Sequence, residues 1–128
     1  MNCKIEATTT VNPTENLNKV IEALSNIFDY DDLFITKNQV TVTGSSSSLV
    51  FFRELLEKQQ IRDTTRQILL KVLNQDSDKI KLKISKQAAF VGKINIVEKD
   101  LSSLGEIEVI IHTENPEEFI EWLCNYDH

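Results

Sequence analysis

Lys79-Ile80-Lys81-Leu82-Lys83-Ile84 alternates a cation with a large aliphatic residue over its whole length. A period of two sends the lysines to one side and the aliphatics to the other, which predicts a strand with one side on a core. Downstream, Glu106 to His112 alternates the same way, with Ile107, Val109 and Ile111 inward. Upstream, Cys3, Ile5, Ala7, Thr9 and Val11 share one side of residues 3–11, with Lys4, Glu6, Thr8 and Thr10 on the other. Leu33 to Thr36 and Gln39 to Thr43 read as a hairpin about Lys37-Asn38. Asn95 to Val97 reads as a further short strand.

Helical spacing fills the intervals. Asn12-Pro13 offers a cap and a first-turn proline for a stripe of Leu17, Val20, Ile21, Leu24, Ile27 and Phe28. Gly44 and the run Ser45 to Ser48 end the hairpin, and Ser48 is read as the cap of a helix carrying Leu49, Phe52, Leu55 and Leu56. Asp63 or Thr64 would cap a third helix with Ile68, Leu69, Val72 and Leu73 on its stripe. Asn115-Pro116-Glu117-Glu118 is a helix start: a cap, a proline, then acids at the positive end of the dipole. Phe119, Trp122, Leu123 and Tyr126 face inward from that helix. Residues 86–93 fit neither period, and Gly92 permits a turn or a bulge. The order β-α-β-β-α-α-β-(β)-β-α lacks strict βαβ alternation, so the expected fold is α+β. A mainly antiparallel sheet would pack against helices in one domain spanning residues 1–128.

The chain has 128 residues and a net charge of −6. That average conceals a division. Residues 1–50 carry 3 basic and 6 acidic side chains, residues 51–93 carry 10 and 5, and residues 94–128 carry 1 and 9. Local field governs encounter, so an anionic partner would dock on the middle third. No segment approaches the roughly 20 apolar residues of a membrane span. The N-terminus lacks a signal peptide's apolar core, so a cytoplasmic protein is expected. Cys3 and Cys124 read as small core residues in a reducing compartment. With only His112 and His128, no metal site and no cofactor are expected.

Chemistry is sparse. Gly44, Gly92 and Gly105 stand alone, so phosphate loops of the GxGxxG and GxxxxGK[ST] types are absent. No GxSxG occurs. Asp31-Asp32 and Glu117-Glu118 fall at element ends, where solvated caps outweigh acid–base work.

Three basic features remain. Lys79, Lys81 and Lys83 could track a phosphate backbone, or could face Glu6, Glu106 and Glu108 as cross-strand ion pairs. Arg62 and Arg66 stand four apart at a helix start, where mutual repulsion and the dipole both disfavour them. Either the site is used, or Asp63 neutralises Arg66. Lys86-Gln87-Ala88-Ala89-Phe90-Val91-Gly92-Lys93 places two lysines around small residues that let a partner approach closely. The alternative is a plain crossing packed against a helix.

The stretch Ile84 to Lys93, ISKQAAFVGK, resembles a signature of an archaeal family of small uncharacterised proteins of the UPF0201 type. Gln60-Ile61-Arg62-Asp63-Thr64-Thr65-Arg66 looks like that family's Q-x-I-x-D-T-A-R segment, with Thr65 in place of the alanine. Leu104-Gly105-Glu106-Ile107 and Asn115-Pro116-Glu117-Glu118-Phe119-Ile120-Glu121-Trp122-Leu123 fit its ending. The resemblance implies RNA binding, kinship with predicted exosome subunits, and a fold like the large-subunit ribosomal protein that binds five-S RNA.

The leading expectation is a non-catalytic RNA-binding protein. Arg62, Arg66, Lys86 and Lys93 would contact phosphates, with Arg53 and Lys58 as outer helpers. Gln60 and Gln87 would bond sugars or bases, and Phe90 either stacks or sits in the core. Two rivals remain: a protein-interaction or homodimeric scaffold module, and an enzyme using the same cations to clamp a phosphorylated small molecule.

Overall fold

The computed structural model describes residues 3–73, 78–97 and 106–124. Its strands are β1 (Cys3–Thr10), β2 (Asp32–Ile35), β3 (Gln39–Ser45), β4 (Lys79–Ser85), β5 (Ile96–Val97) and β6 (Glu106–Thr113). Its helices are α1 (Leu17–Ile27), α2 (Ser46–Lys58), α3 (Arg62–Val72), α4 (Lys86–Phe90) and α5 (Pro116–Cys124). The strands form one sheet in the order β2-β3-β1-β6-β4-β5. Every pairing is antiparallel. The fold is therefore α+β, as the mixed element order predicts.

The alternating strands explain the layering. Ile5, Ala7, Val40, Val42, Ile80, Leu82, Ile84, Ile107, Val109 and Ile111 are buried on one face. Val20, Leu24, Ile27, Leu49, Phe52, Leu56, Leu69, Phe119 and Leu123 meet them from the helices. Phe28, at the end of α1, stacks on Phe52 of α2 with ring centroids 5.3 Å apart. The other face of the sheet carries the polar partners of the alternation, exposed or half-buried, and is open among the described residues.

Several local expectations change. Asn12-Pro13 does not start α1. Asn16 does, its side chain accepting from the amides of Asn18 and Lys19. Asn12 instead donates its own amide to Glu15 Oε1. Ser45, not Ser48, caps α2, and Ser48 occupies the third helical position of a capping box. That box brings Ser48 onto Gly44: a Cβ built on Gly44 would lie 2.0 Å from Ser48 Oγ. Neither Asp63 nor Thr64 caps α3, which begins at Arg62 without a side-chain cap. The ambiguous segment 86–93 holds the short helix α4, capped by the Ser85 hydroxyl, followed by Gly92 at φ 74°. The hairpin about Lys37-Asn38 forms as expected, closed by Thr36 N donating to Gln39 O. The Asn115 cap also forms, accepting from the Glu118 amide. Tyr126, Gly105 and His128 lie outside the described residues. No helix among the described residues is long and apolar enough to cross a membrane.

Candidate nucleic-acid interface

The expected site residues fall into three groups. Lys86 leaves the candidate set altogether. It is the first residue of α4 and is completely buried. Its Nζ donates to Thr10 O at 2.8 Å and to Glu15 Oε1 at 3.0 Å. A buried ammonium needs a counter-charge and acceptors, and Glu15 and Thr10 supply them. Lys86 therefore ties α4 to the end of β1 and has no surface to offer a phosphate.

Arg53 and Arg66 are drawn to α5. Arg53 lies over the Trp122 ring, 5.4 Å from its centroid, and its Nε donates to Trp122 O at 2.8 Å. Arg66 donates from Nε and Nη2 to Glu121 Oε1, at 2.9 and 2.7 Å. Sequence reasoning paired Arg66 with Asp63 as the alternative; the charge it meets lies on α5 instead. Both members of the pair are about half exposed, so its net contribution is at most ~1 kcal/mol.

Lys58, Gln60, Arg62 and Lys93 surround a contact that the sequence does not announce. Gln59 donates from Nε2 to Ile94 O at 3.0 Å and accepts from Ile94 N at 2.8 Å. This two-way amide bond fastens the segment after α4 to the end of α2. The chain neighbours of the fastening are Lys58 and Gln60 on one side and Lys93 on the other, with Arg62 beginning α3. Lys58 and Lys93 are exposed, while Arg62 is half-buried and has a contact of its own within the protein. Gln60 takes a left-handed backbone at φ 59°. Gln87 is exposed on α4, and Phe90 packs against the core.

The lysine row lies on the open face of the sheet. Lys83 stands opposite Glu108, Lys81 opposite Ile110 and Lys79 opposite His112. Lys4 flanks His112 from β1. Glu6 and Glu106 share this face, so cations and carboxylates are interspersed across it. Of the three, Lys83 alone has a carboxylate directly opposite on β6, and Lys79 and Lys83 each have a contact of their own within the protein.

Cys3 and Cys124 are buried free thiols. Burial pushes the Cys124 thiol up to about 12. Among the described residues, no group of three His, Cys, Asp or Glu side chains is placed to hold a metal. Thr65, at the position where the family segment has alanine, is buried, and its hydroxyl donates to Ile61 O at 2.8 Å. A small side chain is what that packed position accepts.

A family model described as RNA binding matches residues 4–113. A UPF0201 protein of Methanothermobacter thermautotrophicus is 38% identical over 121 residues, covering 94% of this chain and 90% of its own. The UPF0201 protein of Saccharolobus solfataricus is 34% identical over 127 residues, covering 94% and 86%. A crystal structure of an uncharacterised UPF0201 protein superposes with a TM-score of 0.84 at 32% identity, covering 96% of this chain and 94% of that one. One from Methanococcus jannaschii gives a TM-score of 0.76 at 28% identity, covering 94% and 98%. A DUF54 protein of 20% identity shares the fold, with a TM-score of 0.71. The segments at residues 60–66 and 84–93 that resemble this family lie within the matched region, and the chain belongs to the UPF0201 family of archaeal proteins.

Proposed function

We propose that the protein binds RNA in the cytoplasm without catalysing a reaction on it, through cations grouped around the Gln59–Ile94 contact. The observation that carries this reading is the match of residues 4–113 to a family described as RNA binding. Support comes from charge and placement. The middle third holds 10 of the 14 basic residues, and Lys58, Gln60 and Lys93 flank a fixed contact. A fixed backbone spares part of the ordering cost of binding. Arg53 and Arg66, held by α5, act as supports in this reading, and Gln87, exposed on α4, adds a polar contact. The resemblance read from the sequence implies exosome-type and five-S-type partners, so the RNAs to try are single strands and a structured five-S-type RNA.

Fluorescence anisotropy at two salt concentrations tests it. Three phosphate contacts predict a log–log salt slope of about −2 on single strands. The variant Lys58→Glu/Arg62→Glu/Lys93→Glu should lose both affinity and slope, while Lys19→Glu, an exposed cation on α1, should retain them. No binding by the folded wild type at low salt overturns the reading. Equal losses in both variants overturn the assignment of the surface.

A further inference from the structure

Strand β2 ends the sheet, and its outer edge has no strand partner among the described residues. Leu33, Phe34 and Ile35 are 37%, 55% and 52% exposed. Because strand neighbours point to opposite faces, both faces of this strand are apolar and open. The opposite edge, β5, has only two residues. Short or charged edges resist pairing, and a bare apolar edge invites another strand.

We propose that the occupant is β2 of a second copy of this chain, paired antiparallel about a two-fold axis through Phe34. The backbone sets the register. Thr36 and Gln39 close the hairpin as a hydrogen-bonded pair. Antiparallel ladders alternate bonded and non-bonded pairs, so Phe34 opposite Thr41 is the next bonded pair. The amides and carbonyls of Leu33 and Ile35 then point to the free edge. A two-fold axis at Phe34 sets Leu33 against Ile35 of the second copy, and Ile35 against its Leu33. Phe34 meets Phe34 on the open face, at the closer spacing of a non-bonded pair. Asp32 faces Thr36 of the second copy. Asp31, whose amide turns back to Thr43 O, lies just beyond the paired strand at the end where the second copy's Lys37 turns away, so opposite charges approach one another at both ends. Centring the axis on Leu33 would set Asp32 against Phe34, and centring it on Ile35 would set Leu33 against Lys37. Only the Phe34 axis aligns the apolar residues with one another and the charges with their opposites. Four strand residues a side bury less than the ~1,200 Å² of a standard interface, so the dimer belongs to the micromolar-or-weaker class.

Sedimentation equilibrium of the full chain, without RNA, from micromolar to submillimolar concentration tests this. The mass should rise from 14.7 kDa towards twice that value. Phe34→Lys sets two cations against each other on the axis and should raise the dimer Kd at least about tenfold, with thermal unfolding of the diluted monomer unchanged. Asp31→Lys and Lys37→Asp should each weaken the dimer, and the two together should restore it. A mass fixed at the monomer value overturns the proposal, as does a dimer indifferent to Phe34→Lys. A double variant that fails to restore overturns the register.

Discussion

Replacing Lys86 by methionine should leave RNA affinity intact and cost much of the fold's stability. Glu15 Oε1 accepts from Lys86 Nζ and from Asn12 N, and Glu15 Oε2 is buried without a hydrogen-bond partner. Lys86 is wholly buried and Glu15 is only 6% exposed. Without the ammonium, a carboxylate is left in the interior with one amide to answer it, and Thr10 O loses its donor. Breaking a buried pair from one side costs about 3–5 kcal/mol. Unfolding entropy near 2.1 cal/mol/K per residue converts that into a fall in Tm of roughly 10–20 °C for a chain of this length. Chemical and thermal denaturation followed by circular dichroism would measure it. Lys86→Met/Glu15→Leu removes both charges and should recover about 2 kcal/mol of the loss. It should not recover all of it, because the Asn12 amide then lacks its acceptor. A single variant within about 1 kcal/mol of wild type would refute the reasoning. So would a folded Lys86→Met protein with a reduced RNA salt slope, which would return Lys86 to the phosphate contacts.

Three further outcomes are expected. Gly44→Ala should destabilise by about 1–3 kcal/mol, because the new Cβ meets both Ser48 Oγ at 2.0 Å and Ser48 Cβ at 2.8 Å; unfolding midpoints check this. Gln59→Ala should cost about 2–3 kcal/mol and speed hydrogen exchange at the Ile94 amide. It should also weaken RNA binding although no charge changes, since Lys93 loses its anchorage. The Cys124 thiol ionises near 9.0 when unfolded and near 12 when folded. Between those values the unfolded chain has released a proton that the native state keeps, so stability falls as pH rises, by up to ~1.4 kcal/mol per pH unit. Below the lower value the contribution is fully present. Cys124→Ala should remove this component of the alkaline slope, and a pH series on both proteins measures the difference.

Much of the sheet was legible because one physical constraint, a core on one face, writes a period of two into β1, β4 and β6. The Lys37-Asn38 hairpin and the Asn115 cap were legible because turn and cap chemistry is local. The start of α1 was misplaced because Asn12 and Asn16 are equally good caps, and the choice depends on where Glu15 is held. Lys86 misled for a deeper reason. A lysine next to a glutamine reads as surface, and its burial requires a carboxylate 71 residues away. The same distance problem hid Glu121 from Arg66 and Ile94 from Gln59. Thr65 was half legible: the family segment marks a small residue there, and only packing shows why.

The strand order bears on how the chain folds. β6 lies between β1 and β4, and it alone joins β2, β3 and β1 to β4 and β5. It is also the last strand among the described residues. During synthesis the N-terminal strands can pair among themselves, but β1 keeps one bare side until residues 106–113 have been made. Pairings of such long sequence separation, Cys3 with Thr113 at the extreme, carry a high loop-closure cost and slow the search. The two half-sheets are thus expected to form early and wait, with β6 as the rate-limiting closure that completes the core.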